Sequence, residues 1–343
     1  MREKLNILAF ESSCDETSVA VLENDRVLSN IILSQEFHRK HGGVVPEIAS
    51  REHLKKITGL TQTALLRAEK DINDISMIAA ASEPGLIGAI LIGLNFAKSL
   101  AASLDIPFVP VNHIQAHVYS AFIKDEKPSF PFISLIISGG HTILLLVKDF
   151  FNHRILGTTV DDAAGEAFDK VAKMLGLGYP GGPEIDRRAA AGNIGFHKFP
   201  EAVIKDSKYD FSFSGIKTSV LYFIRKNNID TGNEETVNDI CASFQHAVVN
   251  SLLKKVVRAS KEFGVRDVCI SGGVSANSYV KKLFGGLKDK NYRIFIPETV
   301  YSTDNAAMIG VTGYFKYRNS PSEQYSGSSL AVKARPRLDY ENF

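Results

Sequence analysis

Runs of consecutive apolar residues predict buried strands, and the first two such runs flank a polar loop. One run covers residues 5–10 and the other residues 18–23. The loop between them, residues 11–17, holds three carboxylates and four hydroxyl or thiol groups. A turn that only reverses the chain is more often built from Asn-Gly or Asp-Gly. The composition of this loop therefore indicates a functional role.

The same arrangement recurs further along the chain. Residues 132–137 form an apolar run, residues 138–142 a small polar loop, and residues 143–147 a returning apolar run. A third instance begins with residues 267–270 and continues into the polar loop 271–277 and a helix. Strands and helices alternate between these hairpins, which predicts an α/β layered fold. We expect an internally duplicated, two-lobed fold with a cleft between the halves.

The rest of the pattern supplies further elements. It predicts strands at residues 75–81 and 107–112 and a half-buried strand edge at 211–217. It also predicts helices around residues 47–55, 60–70, 88–104 and 161–176, and two further helices that begin at Asp186 and at residue 302. The length of 343 residues predicts two domains, because single cores stop growing near this size. We expect one lobe to comprise residues 1–127 with 309–343, and the other residues 128–308.

Composition and charge change this picture little. The chain is 44% hydrophobic, and 40 basic residues nearly balance 38 acidic ones, so no overall field draws it to nucleic acid or membrane. Its three scattered cysteines suit a reducing compartment. No signal peptide is evident, and the longest apolar stretch, residues 85–96, is shorter than the roughly 18 residues of a span. We therefore expect a cytoplasmic protein without a membrane partner.

Two histidines stand four residues apart just after a predicted strand. Asn112 is well suited to cap a helix, and if the helix continues over residues 116–123, His113 and His117 share one face. They could then bind one metal ion. The spacing resembles that of zinc peptidases, but Ile114 stands where those enzymes carry a glutamate. A peptidase is therefore not supported, whereas a metal site and a pair of hydrogen-bonded core histidines both remain open.

Asp304 precedes a run of small residues that starts another helix. Its carboxylate is suited either to cap that helix or to complete a metal site with two histidines, since such sites draw ligands from distant segments. The sequence leaves both roles open. No GxxxxGK[ST] motif is present, which excludes a P-loop protein.

Taken together, the motifs resemble those of one family. They include the segments 11–17, 113–117, 138–141, 165–170, 178–183, 211–215, 271–277 and 303–305. Their identity and order are similar to those of TsaD, the bacterial tRNA N6-adenosine threonylcarbamoyltransferases, formerly classed as glycoproteases. The resemblance extends from residue 5 to about residue 338. It implies the actin/sugar-kinase/heat-shock-protein ATPase-like (ASKHA) fold, in agreement with the duplicated hairpins.

The resemblance also implies an activity. The family transfers a threonylcarbamoyl group from threonylcarbamoyl-AMP to N6 of the adenosine 3′ of the anticodon, in tRNAs reading codons that begin with A. The reaction is expected to be metal-assisted, with one Fe²⁺ per subunit, or Zn²⁺ as the alternative. The implied partners are tRNA, TsaB as a heterodimer partner, the ATPase TsaE, and TsaC as supplier of the adenylate.

Site residues follow from the matched motifs. The metal ligands would be His113, His117 and Asp304. In the first loop, Asp15 or Glu16 is the best candidate to accept the amine proton. The nucleotide and its acyl group would be held by Ile136, Ile137, Ser138, Gly139, Gly140, Asp169, Gly182, Asp186 and Asn277. Among these the glycine backbones would face the phosphate, Asp186 the ribose hydroxyls, and Asn277 the phosphate or sugar edge.

One departure and two rival functions complete the sequence-based picture. Family members commonly have Gly-Pro-Gly where this chain has Glu83-Pro-Gly, so an extra carboxylate enters that loop. A small-molecule kinase or ATPase of the same fold would bind Mg²⁺ through phosphates and carboxylates, whereas two histidines and an aspartate favour a transition metal. A non-catalytic scaffold subunit would be expected to lose the three metal residues.

Overall fold

The computed structural model of the chain describes residues 4–34, 43–201, 204, 207–320, 325, 327–339 and 343. The chain divides into two compact units. Unit 1 comprises Met1–Lys127 and Pro297–Phe343, and unit 2 comprises Pro128–Ile296. The chain thus returns to unit 1 at residue 297, whereas the sequence-based division placed this return at residue 309.

Unit 1 is built on a five-stranded sheet. Its strands are β1 (Asn6–Glu11), β2 (Glu16–Glu23), β3 (Arg26–Ser34), β4 (Met77–Glu83) and β5 (Phe108–Asn112). They are arranged in the order β3-β2-β1-β4-β5. The first three strands form an antiparallel meander, and β1, β4 and β5 run parallel.

Helices cover this sheet and complete its core. They are α1 (Pro46–Arg67), α2 (Ile87–Leu104), α3 (His113–Tyr119), then α9 (Thr299–Ser302) and α10 (Ala306–Asn319), with short 3₁₀ turns at Ile72–Asp74, Ser120–Ile123 and Gly327–Ala331. Leu8 and Phe10 of β1 are buried with residues of α1 and α2 such as Ile57 and Leu94. Alternate strand residues point to the opposite face of a sheet, so Ala9 faces away from this core.

α10 packs on that opposite face at very short range. A Cβ on Gly310 would lie 2.3 Å from Leu22 Cδ1 and 3.2 Å from Ala9 Cβ, and one on Gly313 would lie 2.7 Å from Ala79 Cβ. The two glycines therefore let the helix approach the sheet closely. This packing fixes the start of α10, where Asp304 lies.

Unit 2 repeats the arrangement of unit 1. Its strands are β6 (Phe132–Ile137), β7 (Thr142–Asp149), β8 (Asn152–Thr158), β9 (Asp267–Ser271) and β10 (Arg293–Phe295), in the order β10-β9-β6-β7-β8. Its helices are α4 (Ala164–Met174), α5 (Gly181–Ala189), α6 (Ser214–Lys226), α7 (Glu234–Phe263) and α8 (Ser278–Gly285), with 3₁₀ turns at Gly273–Ala276 and Lys288–Lys290.

The two sheets have the same topology. In each, an antiparallel three-strand meander is followed by two strands parallel to its first strand. β6 to β8 thus correspond to β1 to β3, and β9 and β10 to β4 and β5. The duplicated α/β fold predicted from the repeated hairpins is confirmed.

Several predicted elements differ from those observed. The two helices expected between residues 47 and 70 are the single helix α1, because Gly59 weakens a helix interior without ending it. β8 was missed. The strand edge expected at residues 211–217 was wrong beyond Phe211, which forms an isolated bridge with Thr159. α6 begins at Ser214 because Asp161 Oδ1 accepts the backbone N–H groups of residues 213 and 214, an interaction from a distant segment.

α2 is longer and more apolar than the sequence-based prediction allowed. It has 18 residues with a hydropathy of 1.6, so by length and composition alone it could cross a membrane. The prediction that every apolar stretch is shorter than a membrane span was therefore wrong. In unit 1, Ile90, Leu94 and Ala97 of this helix are buried in the core shared with β1 and α1. Part of the apolar surface of α2 is thus used in packing against the sheet.

Candidate functional site

The two histidines lie in the buried helix α3, whose start is fixed by its capping residue. Oδ1 of Asn112 accepts the backbone N–H groups of Ile114 at 2.9 Å and Gln115 at 3.1 Å. The helix therefore begins at His113, one turn before His117. Their rings are perpendicular, with centroids 4.7 Å apart. The predicted sharing of one helix face by the two imidazoles is confirmed.

Asp304 lies beside both imidazoles. Its Oδ1 is 3.4 Å from His113 Nε2 and 3.2 Å from His117 Nε2. Asn305, not Asp304, caps α10, because its side-chain oxygen accepts the N–H of Met308 at 3.0 Å. Of the two roles left open by the sequence, the cap is thereby assigned to a different residue. Asp304 instead joins the histidines in a cluster.

The donor atoms of this cluster fit a metal ion. One ligand atom from each of His113, His117 and Asp304 lies within 4.8 Å of the others. Within the described ranges Nδ1 of His117 has no hydrogen-bond partner and Nε2 has only the Asp304 carboxylate beside it, although the side chain is fully buried. Buried polar atoms are normally satisfied, and an exception indicates a missing ligand or ion. Two imidazoles and one carboxylate are typical donors for Fe²⁺ or Zn²⁺.

Glu11 and Ser13 lie behind His113. Nδ1 of His113 is 2.9 Å from Glu11 Oε2 and 3.2 Å from Ser13 Oγ. Glu11 is buried at the end of β1, and its other oxygen accepts the Ser13 N–H at 2.5 Å. Sequence analysis assigned no role to Glu11. The available signal was a carboxylate at the end of a strand that is otherwise apolar.

The charges of the cluster depend on one another. Burial disfavours the charged form of His113, but Glu11 and Asp304 outweigh it and raise the pKa of this imidazole well above its usual value. Burial lowers the pKa of His117. Burial would raise the pKa of Asp304, but interactions with His113 and His117 hold it well below the usual range. The cluster therefore keeps Asp304 ionised and His117 neutral, the forms in which both side chains bind metals.

The two candidate proton acceptors lie in the first hairpin. Asp15 and Glu16 are half-buried at the start of β2. Burial, followed by the charges of Asp304 and Asp15, raises the pKa of Glu16 well above its usual value. The charge of Asp304 thus contributes to the raised pKa of Glu16 and links this carboxyl electrostatically to the cluster of His113, His117 and Asp304. A raised pKa makes the carboxylate a stronger base.

A histidine from α1 supports the same loop. His53 is fully buried, with Nε2 3.0 Å from the carbonyl oxygen of Cys14 and Nδ1 2.7 Å from Thr17 Oγ1. The imidazole thus donates to the carbonyl from Nε2 and accepts the threonine hydroxyl at Nδ1. These contacts connect both sides of the loop segment that carries Asp15 and Glu16.

Glu83, the departure from the common family pattern, contacts the cap of α3. Its Oε1 accepts a hydrogen bond from Asn112 Nδ2 at 3.2 Å, and its Oε2 lies 3.7 Å from Arg335 Nη1. The backbone N–H of Arg335 also donates to Ser82 O at 2.9 Å. The additional carboxylate therefore links the C-terminal segment to the residue that starts the histidine helix.

The residues expected to bind a nucleotide all lie in unit 2. Ile136 and Ile137 are buried in β6, and the loop after this strand contains Ser138, Gly139 and Gly140. The two glycines are exposed, and no described atom lies within 4 Å of a Cβ added to either. Their backbone is therefore accessible to a ligand.

Two further glycines bring neighbouring segments against this loop. A Cβ on Gly165, in α4, would lie 2.6 Å from Ser138 O. One on Gly272, which has a φ of +86°, would lie 2.4 Å from Ile137 O. The start of α4 and the loop after β9 are thus brought to the end of β6. A side chain at either position would separate these segments.

The remaining residues that were predicted to bind the nucleotide connect the ends of helices. Asp169 accepts the Gly181 N–H at 2.7 Å at the start of α5, beside Gly182. Burial raises the pKa of Asp169, although hydrogen bonds from the backbone of α5 oppose this effect. Asp186 accepts the backbone N–H of Ser278 at 2.9 Å and its hydroxyl at 2.8 Å. The prediction that Asp186 heads its helix was wrong, because α5 begins at residue 181.

Asn277 is similarly engaged within the chain. Its Oδ1 accepts the N–H groups of Tyr279 and Val280, each at 3.0 Å, and so caps α8. Its Nδ2 donates to Gln245 Oε1 at 2.7 Å. The structure thus connects α4 with α5, α5 with α8, and α8 with α7 through Asp169, Asp186 and Asn277, to which the family resemblance assigned a ligand.

Curated proteins of one family match nearly the whole chain. Residues 26–311 match the family described as TsaD: tRNA N6-adenosine threonylcarbamoyltransferase. A protein of that activity from Christiangramia forsetii is 48% identical over 321 residues, covering 92% of this chain and 94% of the relative. Another from Chlorobium limicola is 50% identical over 318 residues, covering 89% and 90% of the two chains.

Solved structures with low sequence identity share the fold. Full-length HypF, crystallised in a phosphate- and nucleotide-bound form, has a TM-score of 0.63 and 15% identity, covering 94% of this chain and 57% of that one. The activator of the 2-hydroxyisocaproyl-CoA dehydratase from Clostridium difficile, with bound ADPNP, has a TM-score of 0.50 and 14% identity, covering 93% and 98%. These likenesses concern the fold alone and confirm the ASKHA class predicted from the sequence.

Proposed function

The chain belongs to the TsaD family of tRNA N6-adenosine threonylcarbamoyltransferases, and we propose that its donor is threonylcarbamoyl-AMP. The acceptor is N6 of the adenosine 3′ of the anticodon, in tRNAs that read codons beginning with A. The observation that carries this proposal is the cluster of His113, His117 and Asp304, together with a carboxyl, Glu16, whose pKa is raised in part by the charge of Asp304.

The reaction requires a base more than an acid. The N6 nitrogen attacks the carbamoyl carbon, the bond from that carbon to the phosphate oxygen breaks, and AMP leaves with the bonding electrons. One N6 proton must pass to an acceptor as the new C–N bond forms. We assign this role to Glu16, with Asp15 as its partner, because burial and neighbouring carboxylates raise the pKa of Glu16 and make its carboxylate a stronger base than an ordinary glutamate. Such a base contributes about 10²–10⁴-fold to the rate.

The metal ligands are His113, His117 and Asp304, with Fe²⁺ as the expected ion and Zn²⁺ as the alternative. When bound, the ion supplies a Lewis acid for an oxygen of the threonylcarbamoyl group. The chain's own contribution is to hold the three side chains together and to keep His117 neutral and Asp304 ionised, the forms in which they bind a metal. The position of Asp304 Oδ1, 3.4 Å from His113 Nε2 and 3.2 Å from His117 Nε2, supports this assignment.

Unit 2 is assigned the nucleotide part of the donor. The exposed backbone of Gly139 and Gly140 offers N–H groups to the phosphate, since no side chain blocks their approach. Ile136, Ile137 and Ser138 position that loop. Asp169, Gly182, Asp186 and Asn277 complete the proposed site around the starts of α5 and α8.

The proposed activity requires partner proteins and takes place where tRNA occurs. A net charge of +2 gives the chain little general attraction for RNA, because phosphate neutralisation supplies most non-specific affinity. We therefore infer that TsaB and TsaE assemble with this chain to present the tRNA, and that TsaC supplies the adenylate. The reaction is placed in the cytoplasm, where its tRNA substrate occurs.

The test is tRNA modification by the purified chain with TsaB, TsaE, TsaC, threonine, bicarbonate and ATP. Wild type and a His153→Ala control, in β8 of unit 2, should form threonylcarbamoyladenosine, detected by mass spectrometry of digested tRNA. His113→Ala should form none above background. Modification that persists in His113→Ala would show that the histidines have a structural role only.

A further inference from the structure

We propose that Glu11 is a positioning residue for the metal centre. It holds the His113 imidazole with Nδ1 protonated and turned inward, so that Nε2 is presented to the ion. This inference rests on the metal centre proposed above and assigns a role to a residue outside the three ligands. The ligand concerned is the divalent cation itself, and loss of Glu11 is expected to lower the affinity of the site for that cation.

The geometry defines the direction of the contact. Glu11 Oε2 lies 2.9 Å from His113 Nδ1, while the opposite ring nitrogen, Nε2, lies 3.4 Å from Asp304 Oδ1. An imidazole that binds a metal is neutral and carries one N–H and one lone pair, so donation from Nδ1 to Glu11 leaves the lone pair on Nε2. That nitrogen faces the other two ligands. The carboxylate therefore selects the tautomer that can bind a metal.

Burial makes this contact strong. The Glu11 side chain is fully buried and that of His113 is 7% exposed, so water cannot replace the carboxylate as acceptor. A carboxylate–histidine contact of this kind fixes the orientation of the ring and increases the basicity of the ligating nitrogen.

This position requires a glutamate because both carboxylate oxygens accept hydrogen bonds. Oε1 accepts the Ser13 backbone N–H at 2.5 Å, and Oε2 accepts the Nδ1–H of His113. A glutamine has the same shape but only one oxygen, so its NH₂ group must face one of these two donors. The conservative change Glu11→Gln therefore removes the negative charge and one of the two acceptors without creating a cavity.

His117 has no equivalent support. Within the part of the chain that the structure describes, its Nδ1 lacks a hydrogen-bond partner, so its orientation depends on packing in α3. The two imidazole ligands are thus held in different ways. Loss of Glu11 should weaken the His113 ligand alone, and the site should retain metal at reduced affinity rather than lose it entirely.

The experiment measures Zn²⁺ affinity by competition with a chromophoric chelator, using the full-length chain and its variants. Glu11→Gln should bind Zn²⁺ about 10–100-fold more weakly than wild type, the range found for such outer contacts. Ser13→Ala is the matched control, because it removes the hydroxyl 3.2 Å from the same Nδ1 and leaves the carboxylate in place. It should change the affinity less than about threefold, as expected for a weaker neutral contact.

A second readout does not depend on a change at Glu11. In the zinc-loaded wild type, ¹⁵N-edited NMR should show a solvent-protected proton on Nδ1 of His113, assigned by its absence in His113→Ala. A proton on Nε2, or no protected ring proton, would overturn the inference. So would an unchanged affinity in Glu11→Gln. Failure of wild type to bind one Zn²⁺ per chain would instead overturn the metal centre, and the inference with it. That outcome differs from an unchanged affinity in Glu11→Gln, so the two failures can be distinguished.

Discussion

Glu83 Oε1 accepts a hydrogen bond from the side-chain amide of Asn112 at 3.2 Å. This contact orients the amide so that Asn112 Oδ1 faces the first N–H groups of α3. The Glu83 carboxylate is therefore connected to the start of the helix that carries both histidines.

Changes at this pair should have graded effects. Asn112→Ala removes the cap and should lower the free energy of unfolding by about 1–2 kcal/mol. Glu83→Gln keeps an acceptor for the amide and loses the charge facing Arg335, so it should cost less than about 1 kcal/mol. Urea denaturation of both variants gives these values. Equal losses in both would show that the charge, and not the cap, is the important feature.

Asp162 in unit 2 provides a test of pH dependence. Its two oxygens lie 2.7 Å from Lys170 Nζ and Lys217 Nζ, and these hydrogen bonds hold the pKa of Asp162 below its usual value in spite of burial. A lowered pKa stabilises the fold above the unfolded-state value of about 3.9 and ceases to do so as the pH falls through the folded-state value.

Asp162→Asn should therefore reduce the free energy of unfolding by about 1–3 kcal/mol at pH 7. The difference from wild type should shrink as the pH is lowered below about 4. Glu184→Gln is the control, because the Glu184–Arg187 pair is exposed on α5 and should contribute less than about 1 kcal/mol. Chemical denaturation across pH measures both. A difference that is independent of pH would exclude the ionic explanation.

Glu16 should combine a catalytic benefit with a cost in stability. Its raised pKa means that the folded state binds this proton more tightly than the unfolded state does. The stability of the metal-free chain should therefore fall as the pH rises from about 4.3 through the folded-state pKa.

Glu16→Gln should remove this penalty. In chelator-treated protein the variant should be more stable than wild type at neutral pH, by about 1 kcal/mol, and equal to it in acid. Its transfer rate with the partner proteins should fall about 10²–10⁴-fold. Thermal unfolding at several pH values and single-turnover kinetics provide the two measurements. Full activity in Glu16→Gln would transfer the base role to Asp15.

Gly310 tests whether the packing of α10 positions Asp304. Gly310→Ala places a methyl group 2.3 Å from Leu22 Cδ1, so the helix must move or the core must rearrange. We expect a loss of about 1–3 kcal/mol in stability and weaker metal binding. Gly215→Ala in α6 has no described atom within 4 Å of the new Cβ and should be neutral or stabilising, since alanine favours helix. Equal behaviour of the two variants would contradict the packing argument.

Much of the fold was predictable because it depends on local pattern. The strand at residues 132–137 was predicted with the observed bounds, and the His113–His117 helix follows from the Asn112 cap and the helical period. The duplication was visible because both hairpins repeat the same order of apolar runs and polar loop. Neither required knowledge of distant contacts.

The tertiary part of the site was not predictable from pattern alone. Asp304 reaches the histidines because Gly310 and Gly313 let α10 lie against the sheet, a contact that no local period encodes. The role of Glu11 depends on β1 ending beside α3. For the same reason Asp186 was expected to head a helix, whereas it holds Ser278 from within one. Each case combines residues far apart in sequence.

The most direct test supplies synthetic threonylcarbamoyl-AMP and unmodified tRNA to the chain with TsaB and TsaE, in a single turnover. The chain is first stripped of metal by chelation and then reconstituted with one equivalent of Fe²⁺ or Zn²⁺. We expect threonylcarbamoyladenosine from the reconstituted wild type, and none from the stripped chain or from metal-treated His117→Ala. Product formed at the same rate by the stripped chain would contradict the proposed role of the His113, His117 and Asp304 cluster.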